Sequence, residues 1–99
     1  MNSLMKLRKN IDQFDRELIN IFYKRFSVVK KVAMYKKQNN LKPLDSTRWH
    51  EVVSKMVRLS KKKKIPENFI KSIANSIHKE SLRIERNIIS KNLLKNAKK

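Results

Sequence analysis

Apolar or aromatic side chains stand at Leu4, Leu7, Ile11, Phe14, Leu18, Ile21, Val28, Val32 and Tyr35. The steps alternate three and four, the repeat of a helix that carries one continuous apolar seam. The row has one gap, at position 25, and Arg25 fills it. A guanidinium in a row meant for burial is costly unless an anion meets it. Arg25 is therefore the first candidate for a binding residue.

The remainder of the chain reads the same way. It contains no glycine and two prolines, which leaves little turn chemistry for strand connections, and the expected fold is all-α. Its 99 residues suffice for one domain, taken as residues 1–99. The first helix is expected over about residues 4–38, capped by Asn2 or Ser3 and ended by Asn39 and Asn40, which tolerate a left-handed backbone. Such a helix is about 50 Å long, whereas a compact domain of this size has a radius of gyration of about 13 Å. The seam then needs a partner along most of its length, and a dimer is expected. The alternative is a helix broken near Lys30 and Lys31.

Pro43 stops the first helix from continuing through Leu41 to Leu44. Asp45 or Ser46 caps a second helix over about residues 46–62, with Trp49, Val52, Val53, Met56 and Leu59 on its apolar face. Lys61 to Lys64 close it as a solvated turn. Pro66 opens a third helix over about residues 66–90, whose face carries Phe69, Ile70, Ile73, Ile77, Ile84 and Ile88. Ser81 interrupts that face. Residues 91–99 form a basic tail expected to fray.

Lys and Arg outnumber Asp and Glu by 26 to 8, a net charge of +18. An anionic partner follows, and nucleic acid is one candidate. The lysines are spread, however, rather than gathered in one stripe. No apolar run reaches the roughly 20 residues needed to span a bilayer, and Met1 to Lys9 lacks the apolar stretch of a signal peptide. The expected location is cytoplasmic. The absence of cysteine removes disulfides and thiolate metal sites. His50 and His78 lack metal-ligand spacing and read as surface or interface residues. No metal or cofactor is expected.

Polar residues on or beside apolar faces define a candidate site. Arg25 and Lys36 point within about 20° of each other on one helix, about 16 Å apart along it. Ser81 and Glu85 are one turn apart on the third helix. Asp45 and Arg48 flank the start of the second. Together they would line a pocket for a small polyanion bearing carboxylates, which arginine grips bidentately. Arg8 lies about 25 Å from Arg25 along the helix and could meet the same ligand only from the other chain of an antiparallel dimer. The plainer readings are that Arg8 and Lys36 are surface cations, that Ser81 bonds only to backbone, and that Glu85 pairs with Arg86 or a lysine. No nucleophile and base are paired. An enzyme of this kind would work by positioning and electrostatics.

These stretches resemble the all-helical AroQ class, type II, of chorismate mutases. Leu7-Arg8-Lys9-Asn10-Ile11-Asp12 is similar to the opening L-R-x-x-I-D of that class. Asp15 to Leu18, Tyr23-Lys24-Arg25 and Val32 to Lys36 are similar to the rest of its first helix. Pro43-Leu44-Asp45-Ser46-Thr47-Arg48 is similar to its P-x-x-D-x-x-R connector, one residue shorter, and Ile77 to Glu85 to its closing helix. The resemblance covers about residues 4–88. It implies three helices per chain in an intertwined antiparallel homodimer. It also implies a Claisen rearrangement of chorismate to prephenate, a step of aromatic amino-acid biosynthesis, without a cofactor. By the same resemblance Arg8 of the partner chain and Arg25 would hold the two carboxylates. Lys36 would donate to the ether oxygen, with Glu85 as the second donor. Asp45 would meet the substrate hydroxyl through its backbone, Arg48 would support the site, and Ser81 would help bind a carboxylate.

Two positions depart from the class. Trp49 stands where many members have a glutamate that contacts the substrate hydroxyl. Glu85 stands where many bacterial members have glutamine, and a glutamate donates only when protonated. Trp49 keeps a relative acting on isochorismate (a pyruvate lyase) or on an aminochorismate as the alternative function. A basic helical dimer that binds nucleic acid is the alternative from another class.

Overall fold

Asn2 starts the fold: its Oδ1 accepts the Leu4 N–H at 3.0 Å and so caps the first helix. The computed structural model describes residues 2–97, with side chains as far as Ser90. They form three helices, α1 (Ser3–Gln38), α2 (Ser46–Lys62) and α3 (Glu67–Ala97), with no strand among the described residues. α1 has 36 residues, or about 54 Å. It does not break at Lys30 and Lys31, where neither glycine nor proline interrupts the backbone ladder. α3 extends past Ser90, beyond the 66–90 span read from sequence.

Two helix ends are closed by the same device. After α1, the Leu41 N–H donates to the Lys36 carbonyl at 2.7 Å and the Asn40 N–H to the Lys37 carbonyl at 3.3 Å. After α2, the Ile65 N–H donates to the Ser60 carbonyl at 3.0 Å and the Lys64 N–H to the Lys61 carbonyl at 3.1 Å. Both are Schellman closures, which require a left-handed residue just past the helix. In a chain without glycine, Asn40 (φ 55°) and Lys64 (φ 58°) take that conformation. Asparagine tolerates it; lysine has no local hydrogen bond to offset the crowding of its Cβ. At the start of α2, the Asp45 Oδ1 accepts the Arg48 N–H at 3.1 Å.

α3 is the central element. It packs on both α1 and α2, while those two make no direct backbone contact with each other. The intrachain core is thin: among the described residues Ala33 and Ala74 are the buried apolar ones, and no large side chain is fully buried. On α1 the packed stripe is Phe22, Arg25, Phe26, Val29, Ala33 and Lys36, half-buried except for the buried Ala33. It differs from the seam read from sequence. Leu7, Ile11, Phe14 and Leu18 are 54–61% exposed within one chain, as are many of their neighbours. The seam keeps a period of 3.5 residues while the helix turns every 3.6. Its later members therefore drift to the flank of the face that meets α3. On α2, Leu59 also lies outside the packed face, and Ser60 is buried instead, its Oγ donating to the Val57 carbonyl at 2.8 Å.

The resulting shape is long and flat, 65 × 29 × 16 Å, with a radius of gyration of 18.0 Å. A compact chain of this length would have about 13 Å.

Candidate active site

Between α1 and α2, and floored by α3, lies a cavity of about 420 Å³. It exists because α3 holds the other two helices apart. Val28, Val29 and Val32 form its wall on α1, Val52 on α2 and Leu82 on α3. These apolar faces lower the local dielectric and so strengthen each charge placed among them.

Arg25 and Lys36 both open onto this cavity. Three helical turns separate them, so they project from the same side of α1. The Arg25 Nη1 donates to the Ser81 Oγ at 3.2 Å. That bond ties α1 to α3 and removes the reading in which Ser81 serves only backbone. Burial, and secondarily the like charge of Arg48, lowers the proton affinity of Arg25. An arginine nevertheless stays charged at any physiological pH. Arg25 is thus a cation short of an anion.

Eleven residues on, Lys36 is half-buried rather than a surface cation. Its Nζ donates to the Pro43 carbonyl at 2.6 Å and lies 2.8 Å from the Glu85 Oε1. The first contact fastens the connector to α1. The second is an ion pair at the distance usual for an ammonium against a carboxylate. Glu85 is only 6% exposed and pairs with Lys36, not with Arg86. An ammonium and a carboxyl group therefore converge in one place, and the ammonium, which has three donors, keeps one beyond Pro43 and Glu85.

Asp45 and Arg48 line the mouth from the α2 side. Both are exposed. Asp45 is occupied in capping α2, and Arg48 reaches Glu51 at 3.5 Å, an exposed pair of little energetic weight. Trp49 is half-buried and stacks on His78. His78 was read from sequence as a surface or interface residue; it lines the cavity. Its spacing to Ser81, Leu82 and Glu85 placed it on their face of α3 and was the available signal. His50 is exposed. Arg8 stands on the exposed N-terminal part of α1 and does not line the cavity of its own chain.

Two guanidinium groups, an ammonium, a hydroxyl and two carboxyl groups, those of Asp45 and Glu85, thus stand around one half-apolar cavity, an arrangement whose cations suit a small anion. The chain belongs to the chorismate mutase type II family, whose model matches residues 7–86. It is similar to the bifunctional chorismate mutase/prephenate dehydratase of Buchnera aphidicola subsp. Acyrthosiphon pisum (strain APS), with 27% identity over 90 residues. The protein of the same description from Buchnera aphidicola subsp. Schizaphis graminum (strain Sg) is also 27% identical over 90 residues. Each match covers 91% of this chain and 23% of the relative. The chain thus spans about a quarter of the length of these curated relatives. No helix among the described residues is long and apolar enough to cross a membrane.

Proposed function

We propose that the chain is a chorismate mutase that converts chorismate to prephenate by an intramolecular Claisen rearrangement. In that reaction an ether C–O bond breaks as a new C–C bond forms, and no proton or electron is exchanged with the protein. The task is to hold the reactive conformer and to stabilise the charge that gathers on the ether oxygen. The observation that carries this reading is the convergence of Lys36 and Glu85 at 2.8 Å, beside the Arg25–Ser81 pair, in one cavity. Arg25 and Ser81 take one carboxylate, and Lys36 donates to the ether oxygen with Glu85 beside it as the second polar group at that atom. Arg48 and the Asp45 backbone guard the mouth. The net charge of +18 draws a dianion inward.

The second carboxylate needs a cation that one chain does not bring to its cavity. We assign that role to the partner's Arg8 in an intertwined antiparallel homodimer. The support is the uncovered apolar row on α1, where Leu7, Ile11, Phe14 and Leu18 are each more than half exposed. A row of this length exposed on one helix marks an interface.

Purified chain incubated with chorismate tests the reading directly. Loss of chorismate and appearance of prephenate well above the spontaneous rate are expected; a rate equal to background sinks it. The stacked Trp49–His78 wall favours one second reading, in which isochorismate or an aminochorismate is the better substrate. Side-by-side kcat/KM values decide between them.

A further inference from the structure

One wall of the cavity is not explained by its cations. Trp49 from the first turn of α2 and His78 from α3 stack with ring centroids 3.9 Å apart and planes 17° from parallel. The stack joins the two helices and fixes the plane of the imidazole. Both rings line the cavity.

The other polar side chains of the cavity are charged or already engaged. Arg25 holds Ser81, Lys36 holds Pro43 and faces Glu85, Asp45 caps α2, and Arg48 leans on Glu51. His78 is held by its stack on Trp49 and takes no part in these bonds. Burial lowers its proton affinity, Glu85 opposes that shift and Arg86 adds to it. The ring is therefore neutral near pH 7, with one nitrogen that donates and one that accepts. A neutral donor–acceptor suits a hydroxyl, which carries no charge and can serve in either sense.

Chorismate presents two carboxylates, an ether oxygen and one ring hydroxyl. The cations and Glu85 answer the first three. We propose that His78, held in plane by Trp49, is the substrate-binding residue that hydrogen-bonds the ring hydroxyl and makes the site selective for it. This inference rests on the chorismate reading above. A site built to hydrogen-bond a hydroxyl rejects the analogue that lacks it, because its own polar group is then left unpaired.

The test compares chorismate with its analogue lacking the ring hydroxyl, using wild type, His78→Phe and His78→Gln. Phenylalanine keeps the stack and removes both nitrogens; glutamine restores a donor and an acceptor. In His78→Phe, KM for chorismate is expected to rise about tenfold, the worth of one good hydrogen bond, with kcat nearly unchanged. For the deoxy analogue, His78→Phe should do no worse than wild type and is expected to do better, since no polar group is then left unpaired. His78→Gln should recover much of the loss, and it supplies the comparison if His78→Phe does not fold. Equal effects on both substrates, or no effect on either, overturn the inference. A wild-type chain inert towards chorismate overturns the chorismate reading instead, so the two failures are distinct.

Discussion

Lys36 on α1 and Glu85 on α3 face each other at 2.8 Å, with Glu85 buried. Such a pair adds little stability as a whole, but removing one member leaves a charge without compensation. Lys36→Ala should therefore reduce kcat by about 10²–10³-fold through loss of the donor to the ether oxygen. It should also cost about 3 kcal/mol of stability through the stranded carboxylate. Adding Glu85→Gln to that variant should restore the melting temperature but not the activity. Thermal unfolding and single-turnover rates measured on both variants check the two effects separately.

Glu85→Gln exchanges a carboxyl group for an amide, which always carries donor protons. If the side chain at this position donates to the ether oxygen, kcat of the variant is expected to be at least that of the wild type. Single-turnover rates on both check it. A large loss in the variant would mean that Glu85 supplies no hydrogen bond in the transition state.

His78 links stability to pH. Its proton affinity is lowered in the fold, chiefly by burial. Below the ordinary imidazole value the unfolded chain binds a proton that the folded chain resists, so stability falls as pH drops through that region. Glu80, held below the usual carboxylate range by its hydrogen bond to Arg83, gives the same sign at more acidic pH. Melting temperatures between about pH 5 and 8 should thus decline on acidification, and less steeply in His78→Phe.

Lys64 occupies a left-handed position, φ 58°, where its Cβ is crowded. Glycine removes that crowding while the closure of α2 onto Ser60 and Lys61 stays in place. Lys64→Gly is expected to stabilise the chain by about 1 kcal/mol, a rise of about 4–8 °C in Tm. Asn40→Gly should gain less, since asparagine already tolerates the conformation.

Mixtures of variants test whether the partner's Arg8 completes each site. Arg8→Ala and Arg25→Ala chains should each be nearly inactive alone. Co-refolded, they form mixed dimers in which one site keeps both arginines, restoring roughly a quarter of wild-type activity. If Arg8 acted within its own chain, no mixed site would be complete and activity would stay absent.

The helices were legible from sequence because their signals are local. Asn2, Asp45, Pro43 and the row from Leu4 to Tyr35 each act within a turn or two of themselves. Arg25 could be singled out because it broke a periodic row. What sequence concealed depended on how α3 sits between its neighbours. The packed stripe Phe22, Phe26, Val29 and Ala33 lies beside the more conspicuous seam, and only the position of α3 separates intrachain contact from exposed row. The Trp49–His78 stack joins residues far apart in the chain, and no local spacing announces it. Lys64 in a left-handed conformation was hidden within a run of lysines that read as a simple solvated turn.

The cavity also occupies the place where a domain normally keeps its largest side chains. Among the described residues, Ala33 and Ala74 are the apolar ones that are buried, and no large one is fully enclosed. A small anion seated among Val28, Val32, Val52 and Leu82 would serve as the missing centre of the protein. Binding energy would then be folding energy, about 2.7 kcal/mol at a hundredfold excess over Kd, and the protein would be most fully folded when it is at work.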